Sequence, residues 1–177
     1  VLKRQPWPVR PGRKPYIEVR KLGVAGADRS NRMWEKVEKD AAYRALAQSI
    51  WAQYFDDAPP TPQEAADAQR TLDQQIARAV AATAKLKARN VPVLFLRAPS
   101  GGKYHEYEDR VLPRASTWDV LLAKTGAPGI HFEDYPELQG FYLPDWSHLT
   151  GQEADRFTAE LYRIIDRDFG QSQGAHW

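Results

Sequence analysis

The 177-residue sequence contains no cysteine. That excludes disulfides, thiol catalysis and cysteine-bound zinc or iron–sulfur centres. It leaves the compartment open, because a periplasmic protein can also do without disulfides. No stretch approaches the roughly 18–20 consecutive apolar residues of a membrane span. Internal repeats are absent, and so is a large excess of charge. Lys and Arg number 25 against 23 Asp and Glu, a net +2 that gives no reason to expect nucleic acid as a partner. Apolar residues are not scarce: at 42% they suffice for a core and exclude wholesale disorder. The length fits one compact domain. The chain starts at Val1 without a charged-then-apolar leader, so it reads as a processed protein or an excerpt of a longer one.

The charge that is present is unevenly spread. Residues 1–32 hold nine Lys or Arg and two acids, net +7, which leaves −5 for the remainder. Pro6, Pro8, Pro11 and Pro15 keep this segment extended. Residues 1–31 therefore read as a basic, Pro-rich arm. It is either a solvated connection or a contact for an anionic partner. Residues 32–170 form the expected domain, and 171–177 a frayed tail.

Along the chain, Tyr16 to Arg20 alternates like a short edge strand. Residues 32–55 carry helical spacing, from Met33 and Trp34 through Val37 to Phe55. A second helix opens at Thr61-Pro62-Gln63-Glu64, a capping box with proline at the first helical position. Its apolar stripe runs Ala65, Ala68, Leu72, Ile76, Val80 and Leu86, narrow enough to cover only one face of something else. Val91 to Arg97 is a near-continuous apolar run, which predicts a parallel strand buried on both faces. A loop follows over 97–106, then a short helix from Ser116 to Gly126, and a second strand over Gly129 to Phe132. Thr150-Gly151-Gln152-Glu153 caps a last helix with Ala154, Phe157, Leu161, Ile164, Ile165 and Phe169 inward. This order is that of an α/β sheet with helices on both faces, although only two strands are convincing.

Sites in open α/β sheets lie at the carboxyl ends of strands. Two loops qualify, 97–106 and 133–149. The second contains Asp145-Trp146-Ser147-His148 just before a capped helix. There Asp145 can hold the His148 tautomer while the other ring nitrogen faces a nucleophile. The alternative is a surface loop with a histidine near a helix start, where the dipole favours a neutral ring. Arg97 ends the first strand and can hold an anionic or sugar group, or pair with Glu106 or Glu108. Ser100 sits in the strand-end loop. His131 reads as a hydrogen-bonded structural residue, and its neighbours Glu133 and Asp134 carry no diagnostic ligand spacing. No metal or other cofactor is expected. The aromatics Trp118, Phe132, Tyr135, Phe141, Tyr142 and Trp146 cluster in this half of the chain. Sugars stack on such rings, though most should anchor core or loops.

From Val91 to Leu161 the chain resembles the C-terminal part of the SGNH/GDSL hydrolase superfamily. The resemblance rests on Arg97-Ala98-Pro99-Ser100, Trp118-Asp119, His131-Phe132-Glu133-Asp134 and Leu143-Pro144-Asp145-Trp146-Ser147-His148-Leu149 before the capped helix. It implies a three-layer, flavodoxin-like sheet with helices on both faces, of which this chain carries the C-terminal half. It also implies His148 as general base and Asp145 as its orienter; from their places near the site, Arg97, Ser100 and Trp146 are the expected substrate-binding residues. The branch it looks like is bacterial, and members of related branches are often linked to cell-surface polysaccharide acylation, which implies the periplasm or cell envelope. The family's Gly-Asp-Ser nucleophile block and Gly-x-Asn-Asp oxyanion block are both missing. Ser30, in Gly26-Ala27-Asp28-Arg29-Ser30, is a poor substitute because no buried strand precedes it. Two functions stay open. One is a serine esterase or O-acyltransferase acting on acylated carbohydrate or a small ester, with the serine outside these residues. The other is a non-catalytic binding or scaffold module of a polysaccharide-processing system.

Overall fold

The computed structural model describes residues 21–55 and 58–170. The expected strand at 16–20, most of the basic arm and the tail at 171–177 lie outside these residues. Strand β1 (Gly23–Ala25) pairs antiparallel with β2 (Asn31–Met33), Val24 facing Arg32. The turn is closed by Gly26 N–H donating to Ser30 O at 2.7 Å. This hairpin straddles the boundary expected at residue 31. It is tied to the last helix, α6 (Gly151–Phe169), by a two-pronged contact of the Arg32 guanidinium with Asp155 at 2.9 and 3.0 Å.

The single helix expected over 32–55 is two helices, α1 (Glu35–Lys39) and α2 (Ala41–Ala52). Asp40 separates them. Its backbone is extended, and its carboxylate accepts from Ala42 N–H at 2.9 Å and Tyr43 N–H at 3.1 Å. An acid able to satisfy free amide groups ends one helix and starts another despite continuous apolar spacing. Helix α3 (Pro62–Lys87) forms as expected, with both halves of the capping box made between Thr61 and Glu64. At 26 residues it is about 39 Å long. The stripe is covered only in its later part. Ala65 and Ala68 are exposed, and Ile76 and Thr83 are the buried positions.

Strand β3 (Phe95–Arg97) runs parallel to β4 (Gly129–His131), with Leu96 opposite Ile130. It is shorter than the expected 91–97 run. Pro92 has no N–H to give, and hydrogen bonding to the neighbouring strand begins at Phe95 N–H to Pro128 O, 3.0 Å. Burial on both faces is also corrected: Leu96 is 42% exposed, so one face of β3 is left largely uncovered by the described residues. The loop expected over 97–106 ends early, because α4 (Gly102–Val111) starts inside it. Helix α5 (Trp118–Thr125) follows a short 3₁₀ turn at Arg114–Ser116, rather than starting at Ser116, and stops at Gly126 in the left-handed conformation. Lys87 of α3 donates to the carbonyls of Thr125 and Gly126 at 3.1 and 2.8 Å, closing the end of α5.

The core gathers where β4 meets α6. Ile130, Phe132, Leu138, Phe157 and Ile164 are buried together, with Leu161, Ile165 and Phe169 packed against them. The α6 residues here are those of the expected inward stripe. A smaller buried set, Val37, Ala47 and Ile50, lies on α1 and α2. The molecule is mixed α/β and largely helical, with two small sheets among the described residues. No helix among the described residues is long and apolar enough to cross a membrane.

Candidate active site

The segment between β4 and α6 contains two 3₁₀ turns, Phe132–Asp134 and Pro136–Leu138, and then the Leu143–Thr150 loop. Gln48 of α2 donates to Pro144 O at 2.7 Å, and Gly101 N–H donates to Trp146 O at 2.9 Å. Trp146 itself has φ +72°, a left-handed backbone that a bulky side chain seldom adopts. That strained residue turns the chain so that Asp145 and His148 face each other. His148 Nδ1 lies 2.8 Å from Asp145 Oδ2. The other carboxylate oxygen accepts from the backbone N–H of His148 at 2.9 Å and of Ser147 at 3.2 Å.

Asp145 is completely buried, whereas the His148 ring is half exposed. Burial by itself would raise the Asp145 pKa. The His148 ring and the two backbone donors outweigh it and hold the carboxyl below its ordinary value. For His148 the hydrogen bond to Asp145 is the largest influence, and it raises the pKa against the opposing effect of burial. The dipole at the start of α6 does not win, because the paired carboxylate is closer. With Nδ1 committed to Asp145, Nε2 has no hydrogen-bond partner among the described residues. Such an imidazole is oriented, and its free nitrogen can take up a proton.

Aromatic rings frame this dyad. Trp51 of α2 lies 6.3 Å from the His148 ring and 5.3 Å from Tyr104 of α4. Phe55 stacks on Tyr107 at 4.8 Å and sits 6.4 Å from Trp146. The Tyr104 hydroxyl faces Ser147 beside the dyad. Gly102 has φ +51°, and a side-chain carbon there would come within 2.6 Å of Trp146 Nε1. Trp146 thus lies flat against the first turn of α4, a position that needs glycine on both counts.

The expected substrate-binding residues divide. Trp146 belongs to the dyad loop. Arg97 and Ser100 belong to the other side of α4. Arg97 Nη2 donates to Glu108 at 2.6 Å and to Ser100 Oγ at 3.1 Å. Of its two expected acidic partners it has taken Glu108. Arg97 lines a cavity of about 410 Å³ whose apolar wall comes from α3 and α5, including Leu72, Ile76, Trp118 and Leu121. Asp145, Trp146 and His148 are not among the lining residues. His131 is buried there, edge-on to Trp118 and stacked on Phe132. Burial, with Arg114 nearby, lowers its pKa. Of the other clustered aromatics, Tyr135 and Phe141 pack on the core, and Tyr142 is half exposed. Ser30 lies in the hairpin turn with its hydroxyl donating to Asp28 at 2.7 Å.

Sequence reasoning missed a cluster on this cavity. His105 and Asp109 of α4 and Glu133 of the turn after β4 bring ligand-type atoms within 4.8 Å of one another. The signal was the i, i+4 spacing of His105 and Asp109, legible only once 102–111 is recognised as a helix. Compared with protein-family models, curated proteins and solved structures, the chain finds no match.

Proposed function

We propose that the chain is the C-terminal part of a three-layer, SGNH-like serine esterase or O-acyltransferase acting on acylated carbohydrate. The observation that supports this best is the Asp145–His148 dyad: a fully buried carboxylate at 2.8 Å from an exposed imidazole whose second nitrogen is free. Its place between the last strand and the last helix fits the resemblance. In this reading a serine outside these residues attacks the acyl carbon. His148 Nε2 accepts the hydroxyl proton, and Asp145 stabilises the imidazolium that forms. Collapse of the tetrahedral intermediate expels the sugar alkoxide, which takes the proton back from His148. Water or a second sugar hydroxyl then attacks the acyl-serine with His148 again as base. The rings of Trp51, Tyr104 and Trp146 offer faces on which a sugar can stack.

The test uses the complete polypeptide that contains this chain, with an acetylated sugar as substrate. His148→Ala should lower kcat by about 10²–10⁴-fold with circular dichroism unchanged, because the proton transfer is lost. Asp145→Asn should also lower kcat, and the double variant should lose little more than the worse single one, since both act through one proton. Full activity in His148→Ala rejects the assignment. A second reading, a binding module without catalysis, is favoured by one observation: no serine hydroxyl touches His148 among the described residues. It would be established by a parent reading frame without a Gly-Asp-Ser block and by the absence of any acyl-enzyme in mass spectrometry.

A further inference from the structure

We propose that His105, Asp109 and Glu133 bind a divalent first-row transition-metal ion at the wall of the 410 Å³ cavity. The proposal concerns the side of α4 opposite the His148 dyad and stands apart from the acyl-transfer reading. His105 Nε2 lies 3.1 Å from Glu133 Oε1 and 3.5 Å from Asp109 Oδ2. Two carboxylates and one imidazole nitrogen therefore converge on one point, a mixed set that suits zinc, manganese or iron(II) rather than calcium. Neither carboxylate is paired with a lysine or arginine among the described residues, in contrast to Glu108 with Arg97 and Asp134 with Arg114. The cavity holds cations, but they are committed elsewhere.

The second imidazole nitrogen is also provided for. His105 Nδ1 lies 3.3 Å from Ser100 Oγ, and that oxygen already accepts from Arg97. In the tautomer with Nδ1–H donating to Ser100, the Nε2 lone pair faces two anionic oxygens and can ligate a cation between them; a supporting hydrogen bond on the far nitrogen is the usual companion of a metal-bound histidine. An independent observation points into the same space. His131, with 7% of its side chain exposed, lines this cavity, and its Nε2 has no hydrogen-bond partner among the described residues. Its Nδ1 accepts from Glu133 N–H at 3.4 Å, which leaves Nε2 as the ring's free polar atom beside the apolar wall. Three protein ligands leave coordination positions for water or for a further ligand.

The test titrates the metal-free, tag-free protein with Zn²⁺ and Co²⁺ by calorimetry and follows the visible absorption of the Co²⁺ form. Stoichiometric binding with Co²⁺ bands of an oxygen–nitrogen site is the expected result. Glu133→Gln and Asp109→Asn, near-isosteric changes at partly exposed positions, should each weaken binding by at least about tenfold, the range seen when a metal site loses a supporting group. His105→Asn should remove the Co²⁺ bands, and His176→Asn should leave them unchanged. Absence of binding by the unaltered protein overturns the proposal. So does binding that survives Glu133→Gln and Asp109→Asn undiminished, because the ion would then sit elsewhere.

Discussion

Asp145 is an acid with no exposed surface, and its charge is stabilised by one imidazole and two backbone amides. That dependence has a pH signature. Because Asp145 raises the His148 pKa, the acid limb of kcat/KM in the complete protein should fall above the ordinary histidine value of 6.5. Asp145→Asn removes the anion and should move the limb to lower pH, as a pH–rate profile would record. The same pair acts on stability with opposite signs. The raised His148 pKa contributes stability that is fully present below 6.5 and is lost as pH rises through the folded-state value. The depressed Asp145 pKa contributes stability present above 3.8 and lost as pH falls through its folded-state value. Asp145→Asn should therefore cost about 1–3 kcal/mol in urea denaturation near pH 5–6. The difference should shrink in strong acid.

At the scale of elements, the caps decide where helices stand. Thr150 is buried, and its hydroxyl accepts from Glu153 N–H at 3.2 Å, so Thr150→Ala should lower stability by about 1 kcal/mol in urea denaturation. Gly102→Ala should cost about 1–2 kcal/mol for the left-handed backbone alone. It should also raise KM in the complete protein, because the new methyl displaces Trp146 from the first turn of α4. Caps also explain what the sequence made legible. Thr61 and Thr150 announce α3 and α6 because each is followed by a glutamate three residues on. Asp40 was overlooked because apolar residues continue in phase across it, and only its hydrogen bonds show that it both ends and begins a helix. Helix α4 was overlooked because Gly101-Gly102 and six charged or histidine residues read as loop, although Tyr104, Tyr107 and Val111 keep helical spacing. The Asp145–His148 pair was legible since both partners lie in one short loop. The His105, Asp109 and Glu133 cluster was not, because its members come from two elements that only the β3–β4 pairing brings together.

Across the whole molecule, stability is concentrated around β4 and α6. Ile164 is 1% exposed in that core, and Ile164→Ala should cost about 2–5 kcal/mol in urea denaturation. Tyr162, two residues away but 68% exposed, should change stability by no more than about 0.5 kcal/mol when replaced by alanine. Helix α3 stands at the opposite extreme. From Leu72 onward it forms a wall of the cavity and holds the end of α5 through Lys87, while its first ten residues touch little but solvent. Amide protons along this one helix should then exchange with deuterium over a steep gradient. Those of residues 65–71 should be lost rapidly by fraying from the Thr61 end, and those around Ile76 to Thr83 should be retained until the surrounding core opens.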